Sequence, residues 1–276
     1  MQKTKKPGPA VLSARVWNGM QKNYSYDMAA ELGFYFFYSL FPFLIFVVAI
    51  TAWLPISATP AGVLAMMKEF LPDYLFTLAG PAVVDIIFRP RTLLAAGTLI
   101  LALWAASSAV SSLMTALNRI HCVEEHRSYW KAKGISLLLT AALAGVLLAA
   151  FFLLVLGPVI KDWLTLRVGF APVFKMLFGA SRWVIAVTVM LFDLALVFSF
   201  GPGIKRPFRL FSPGALVTLA GWFGFSELFR LYIQSAGPHN LFYGAAGGII
   251  GLMTWLYLMG LMMLAGAQVN HELGRD

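Results

Sequence analysis

An all-α integral membrane protein with six transmembrane helices is the fold class this sequence predicts, and three observations predict it. Of its 276 residues, 60% are apolar and only 12% are charged, about half the charged share of a soluble domain. Mean hydropathy is +0.79. The apolar residues collect in six runs, each near the roughly 20 residues a helix needs to cross about 30 Å of hydrocarbon. Lipid offers no water to satisfy backbone N–H and C=O groups, so such runs are helices rather than strands. The alternating pattern of an outer-membrane barrel is absent. A single cysteine, Cys122, excludes a disulfide framework and a Cys-x-x-Cys redox pair.

Residues 1–28 come first and read as a cytoplasmic or interfacial segment of one polytopic domain covering residues 1–276. The apolar run that follows begins too late and runs too long for a cleaved signal peptide. Leu12, Val16, Met20 and Tyr24 recur every four residues with Trp17 beside them. That spacing predicts a short amphipathic helix, lying in the inner headgroup layer or capping the bundle. The spans are expected at about residues 29–54, 93–117, 135–160, 183–200, 213–236 and 243–269. The first outer loop carries its own helix signals. Thr59-Pro60 is an N-cap followed by a first-turn proline, and Val63, Met66, Met67 and Phe70 form an apolar face. A second apolar piece, Val83 to Phe88, follows Pro81. Two amphipathic helices on the outer face, as a lid or as packing, fit this loop.

The charges then orient the spans. The net charge is +9, from 21 Lys and Arg against 12 Asp and Glu. With six spans, the N-terminal segment, the second and fourth loops and the C-terminal tail share one side, and thirteen basic residues lie there. The opposite side has seven, spread over longer loops, and Arg230 lies within a span. The positive-inside rule places both termini in the cytoplasm. This address accounts for the charge without a nucleic-acid partner.

Ionisable residues inside spans are costly and therefore informative. Glu31 starts a stripe with Tyr35, Tyr38 and Pro42 on the first span, and Asp193 is placed near the middle of the fourth. Glu227, Arg230 and Gln234 share one side of the fifth. Glu227 lies about 21 Å and Arg230 about 25 Å above Pro213 at 1.5 Å per residue. That pair reads either as a structural ion pair or as functional. Glu31, Asp193 and Glu227 with Arg230 and Gln234, at rising depth, make a candidate polar pathway. His239, Asn240 and Tyr243 form a candidate outer rim, although a turn satisfying its own backbone also explains Asn240. Lys205, Arg206 and Arg209 are candidate contacts for anionic lipid on the inner face.

Small residues mark packing faces. Ser108, Ser111, Thr115 and Asn118 recur along the second span, as close helix packing or as the lining of a wet cavity. Gly244 with Gly248, and Gly247 with Gly251, form overlapping Gly-x-x-x-Gly patterns on the sixth. These suit a helix partner in the same chain or in a second copy. The four histidines show no ligand-spaced set, with His121 and His126 placed on one membrane face and His239 and His271 on the other. No metal site and no cofactor are expected.

Several blocks are similar to a known family. Glu31-Leu-Gly-Phe-Tyr-Phe-Phe-Tyr-Ser-Leu-Phe-Pro42, Leu113-Met-Thr-Ala-Leu-Asn-Arg-Ile120, Val123-Glu-Glu125 with Arg127, and Pro213-Gly-Ala215 resemble signatures of the YihY/BrkB family of bacterial inner-membrane proteins. So do Asn240-Leu-Phe-Tyr-Gly244, Trp255-Leu-Tyr257 and Gly266-Ala-Gln-Val-Asn-His-Glu-Leu273. His121-Cys122 departs from the usual Tyr-Gly, Pro238-His239 from a small-aromatic pair, and Gly201-Pro-Gly203 from Leu-Pro-Asn. The resemblance implies a multi-pass protein of the bacterial inner membrane, with a suspected part in moving lipids or lipid-linked precursors. It supplies no catalytic residues.

The family once bore a ribonuclease label. Such an activity requires clustered metal ligands or a soluble domain to hold RNA, and the sequence presents neither, so no enzyme is expected. The leading expectation is a transporter or flippase-like protein for a lipid or other amphiphile, with membrane lipids as partners. The alternative is a non-catalytic scaffold or assembly factor for envelope machinery. An enzyme acting on a lipid would have Glu227 and His239 as its site.

Overall fold

The computed structural model describes residues 8–51, 92–146, 171–204, 206–236 and 244–274. It is all-α over these residues. The helices are α1 (Pro9–Lys22), α2 (Ser25–Thr51), α3 (Thr92–Ile120), α4 (residues 129–146), α5 (Ala171–Phe200), α6 (Pro213–Ala236) and α7 (Gly244–Glu272). By length and composition Ala96–Ile120 and Gly248–Glu272 can cross a membrane, and Val184–Phe200 is a shorter apolar helix. The first outer loop with its two expected helices, and the third span beyond residue 146, lie outside the described residues. Contacts divide the chain into two units, Met1–Tyr35 with Ser107–Asp276, and Phe36–Ala106.

Local chemistry sets the helix ends. Pro9 opens α1 in its first turn behind Gly8, a position where a missing N–H costs nothing. The helix stops where the Asn23 N–H bonds to the Gly19 carbonyl at 2.9 Å. Tyr24 then takes a left-handed φ of 54°, which turns the chain into α2. Asp27 and Arg119 lie in the first turn of α2 and the last turn of α3, each matching the partial charge of its helix end. The fourth expected span proves longer than its apolar run. It begins at Ala171 rather than near residue 183, because Lys175 and Arg182 lower hydropathy without lowering helix propensity. Asp193 is therefore not at mid-helix. It lies seven residues before Phe200, about 10 Å from that end.

The second unit holds parts of α2 and α3 among its described residues; there Ser39 donates its hydroxyl to the Phe36 carbonyl at 2.9 Å. In the first unit α6 and α7 form a tight antiparallel pair. A Cβ at Gly266 would meet Thr218 Oγ1 and the Gly214 carbonyl oxygen, and one at Gly221 would meet Met262. Trp222 donates its indole N–H to the Met259 carbonyl at 2.9 Å, and Trp255 donates its own to Ser226 Oγ at 3.2 Å. Each four-residue step up α6 thus matches a four-residue step down α7, and a stripe of small residues lets the backbones close. The seam loosens at the start of α7, where a Cβ at Gly251 would meet Phe229 of α6 at 3.4 Å and one at Gly248 would meet nothing within 4 Å among the described residues. On the far side of α7, Gly33 of α2 lies against the Tyr257 backbone and Gly260 against Ala29 and Leu32. Elsewhere, Val110 and Met114 of α3 pack with Leu139 of α4 and Leu196 of α5.

Candidate functional site

The ends of α3, α5 and α7 and the starts of α2 and α6 meet in a polar junction. Asn118, 5% exposed, organises one half of it. Its amide N–H donates to Glu125 Oε2 at 2.8 Å, and its carbonyl oxygen accepts the Gly203 N–H at 2.6 Å. Arg127 donates to Glu125 Oε1 from its backbone N–H at 3.0 Å and from Nε at 2.9 Å, and from Nη2 to the Gly201 carbonyl at 3.2 Å. The segment after α3 is thereby fastened to the segment after α5. Burial pulls the Glu125 carboxyl upward, but hydrogen bonds from the Arg127 backbone and Asn118, with the guanidinium charge, outweigh it. The net effect holds the carboxyl below the ordinary glutamate range.

Asn270 organises the other half. Its carbonyl oxygen accepts the Gly214 N–H at 2.8 Å and its Nδ2 donates to Ser212 Oγ at 3.2 Å. Ser212 caps α6 by accepting the Ala215 N–H at 3.1 Å. Two otherwise orphaned N–H groups of the first turn of α6 are satisfied by this arrangement. Below it, Asn23 donates to Gln268 Oε1 at 3.0 Å, and Gln268 donates to Glu272 Oε1 at 3.1 Å. A cavity of about 20 Å³, room for one water, is lined by Ser199, Arg206, Pro207, Arg209 and Asn270 among others. Helix α1 packs on the same end of α7, with Gly19 against Gln268. An apolar cleft of about 310 Å³ runs between Leu12, Val16, Trp17 and Val269.

No hydrogen bond or ion pair joins Glu31, Asp193 and Glu227 to one another among the described residues. Glu31 lies about 9 Å along α2 from Ser25, and Asp193 about 10 Å along α5 from Phe200. Glu31 is exposed on α2. Asp193 is half-buried, and its Oδ1 is buried without a hydrogen-bond partner among the described residues. Arg230 and Glu227 pair on α6, Nε to Oε2 at 2.9 Å and Nη2 to Oε1, both side chains more than half exposed. Gln234 is within α6, with its side chain outside the described residues, as are His239, Asn240, Tyr243 and Lys205. Arg209 is exposed and Arg206 half-buried at the small cavity.

Along the small polar face of α3, Ser111 donates to the Ser107 carbonyl and Thr115 to the Ser111 carbonyl, while Asn118 of the same face bonds to Glu125 and Gly203 outside the helix. Lys133 of α4 donates to Ser107 Oγ at 2.7 Å. The histidines are not split as expected. His121 and His271 meet, Nδ1 to Nδ1, at 3.3 Å, because α3 and α7 both finish at the junction. Glu125, Arg127, Gln268 and Asn270 carried no functional expectation, and Asn118 carried one only as part of the small polar face of the second span. Their signal was present in the family-like blocks, four of which converge on this one end.

Comparison with known proteins identifies relatives along most of the chain. The family model of the virulence factor BrkB matches residues 16–276. The chain is 33% identical over 242 residues to the putative ribonuclease-like protein YfkH of Bacillus subtilis, covering 88% of this chain and 87% of that one. It is 27% identical over 240 residues to a UPF0761 membrane protein of Alcanivorax borkumensis, covering 84% of this chain and 54% of the longer relative. A UPF0761 membrane protein of Psychromonas ingrahamii is 34% identical over 77 residues, 28% of this chain and 26% of that one. No solved structure matches the chain. The chain belongs to the BrkB family of membrane proteins.

Proposed function

We propose that this BrkB-family chain is a multi-pass protein of the bacterial inner membrane that moves a lipid or another amphiphile, with six spans and both termini in the cytoplasm. One observation carries the reading: Asp193, in an apolar helix, keeps a buried carboxylate oxygen without a hydrogen-bond partner among the described residues. Leaving such an atom unsatisfied costs about 1–3 kcal/mol or more. An intramembrane acid held in that state is suited to accept a proton or to meet a polar headgroup. In this mechanism the headgroup passes beside Asp193 while the tails stay in lipid, and membrane lipids are the partners.

The test is translocation of a headgroup-labelled phospholipid in proteoliposomes. Asp193→Asn is expected to lower the rate about tenfold or more while leaving thermal stability equal or higher, as when a strained functional group is relieved. A folded Asp193→Asn protein that translocates at the parent rate refutes the proposal.

A second reading, a non-catalytic scaffold for envelope machinery, is favoured by the exposed Glu227–Arg230 pair on α6 beside exposed Phe223, Leu228 and Leu231. Hydrocarbon disfavours exposed ions, whereas a protein partner would cover them. Gly248 on α7, with nothing within 4 Å of its Cβ position among the described residues, suits a second copy in the same way. Under this reading a stoichiometric complex survives Asp193→Asn and is lost with Glu227→Ala. The ribonuclease-like name belongs to the Bacillus relative. In this chain, Glu125 is occupied in fastening two loops, and we read the protein as neither an enzyme nor a nucleic-acid binder.

A further inference from the structure

The apolar cleft beside α1 has a chemistry that the transport reading does not use. Its volume is about 310 Å³, and six of its seven lining residues belong to α1 and one, Val269, to α7. Leu12, Val16 and Met20 line it at four-residue spacing along one helix face, with Trp17 beside them. Ser13 brings the one hydroxyl, and that hydroxyl donates to the Ala10 carbonyl at 3.0 Å. The cleft therefore presents almost only hydrocarbon. A polar ligand would leave its own groups unsatisfied there, whereas a hydrocarbon chain has none to satisfy.

The surroundings decide which hydrocarbon. Residues 1–22 hold five Lys and Arg and no Asp or Glu. Arg15 and Lys22 are exposed, and their spacing of seven residues puts both on the side of α1 away from Trp17 and Met20. Trp17 is 56% exposed and Tyr24, just past the helix, 62%. At the same junction Tyr129, Trp130 and Phe211 are exposed as well, close in sequence to the exposed Lys131 and Arg209. Exposed Trp and Tyr interleaved with Lys and Arg match the headgroup level of a bilayer, where amphipathic rings meet both water and acyl chains. The seven residues ahead of Gly8 are three lysines, Gln2, Thr4, Met1 and Pro7, too polar a segment to fill a hydrocarbon cleft.

We infer that the cleft takes an acyl chain of an anionic phospholipid, with α1 lying at headgroup level and Arg15 and Lys22 meeting the negative charge of the leaflet. The inference rests on the chain's being a membrane protein and not on transport. A lipid held there packs against Val269, two turns or less from the Gln268 and Asn270 hydrogen bonds that close the junction.

The test is quenching of Trp17 by phospholipids brominated on their acyl chains, with the full chain reconstituted in phosphatidylcholine vesicles. The Trp17 signal is the difference between the parent and Trp17→Phe. Brominated phosphatidylglycerol is expected to quench it at least about fivefold more effectively than brominated phosphatidylcholine, the gain from one basic residue at an anionic surface. Arg15→Gln with Lys22→Gln should lower that preference at least about fivefold. Ser13→Phe, whose ring fills the cleft, should remove most of the quenching by either lipid. Asp193→Asn should change none of these values, so each proposal can fail without the other. Equal quenching by the two lipids in the parent overturns the inference. Absence of quenching at Trp17, the result if a second copy or a protein partner covers the cleft, does the same. So does an unchanged preference in the folded double variant, or full quenching in folded Ser13→Phe.

Discussion

Replacing Asn118 with alanine removes two hydrogen bonds at once, and their surroundings set the cost. The bond to Glu125 is charge-assisted, a class worth about 1.5–3 kcal/mol, and the bond from the Gly203 N–H is neutral, worth about 0.5–1.5 kcal/mol. Two features lower the total. Glu125 keeps its Arg127 partners, and Gly203 is exposed, so water reaches the orphaned groups. A destabilisation of about 2–3 kcal/mol is therefore expected for Asn118→Ala. Equilibrium unfolding in mixed micelles, followed by fluorescence of the chain's 8 tryptophans, measures it. Asn118→Asp sharpens the test. It preserves the acceptor for Gly203 but sets a second carboxylate against Glu125, where the amide now approaches to 2.8 Å. At neutral pH the Asp variant should be at least as unstable as the Ala variant, recovering partly when Glu125 is replaced by glutamine. A loss of less than about 0.5 kcal/mol on alanine substitution, the range of an ordinary surface change, would refute the view that Asn118 organises the junction.

Three further outcomes follow from the same geometry. Cys122 occupies a left-handed φ of 53°, so Cys122→Gly should stabilise the protein by about 1 kcal/mol, seen as a higher unfolding midpoint. Gly266→Ala should destabilise it by about 2–3 kcal/mol, because the new methyl meets the Gly214 backbone and Thr218; Gly248→Ala, whose methyl meets nothing within 4 Å among the described residues, should be neutral in micelles. The Glu125 carboxyl is held below its ordinary range, so its contribution is present above the unfolded glutamate value, about pH 4.3, and is lost as pH falls through the lowered folded value. Acid titration of stability should lose that component in Glu125→Gln.

The start of α6 was legible because Ser212-Pro213 punctuates a run that is largely apolar. The start of α5 was not, since hydropathy reports where lipid is tolerated and not where hydrogen bonding continues; Lys175 and Arg182 hid about a dozen helical residues. The site divided along the same line. Asp193 stood out from sequence because a single acid in an apolar run is visible in one dimension. The junction did not, because Asn118, Glu125, Gly203, Ser212 and Asn270 come from positions up to about 150 residues apart, and no periodicity connects them. Cys122 shows an intermediate case. Its place where the family pattern has glycine was visible in sequence, but only the left-handed backbone explains why glycine is favoured there.

Hydrogen-bond accounting separates the two polar regions of the molecule. At the junction the organising side chains end on helix termini or loop backbone: Asn270 on the first turn of α6, Arg127 on Gly201, Asn118 on Gly203. Those partners are needed by the fold itself, since helix ends leave groups that must be satisfied. A structural role is sufficient for them, and their substitution should report on stability before anything else. Asp193 is the reverse case. Ser25, Ser112 and Tyr26 also keep buried oxygens without partners among the described residues, but a hydroxyl in that position costs far less than a carboxylate. Packing and helix formation at residue 193 would both be served better by leucine. A group that the fold would be more stable without suits the role outside the fold that we propose for Asp193, and stability of Asp193→Leu at or above that of the parent, measured beside translocation, tests that argument directly.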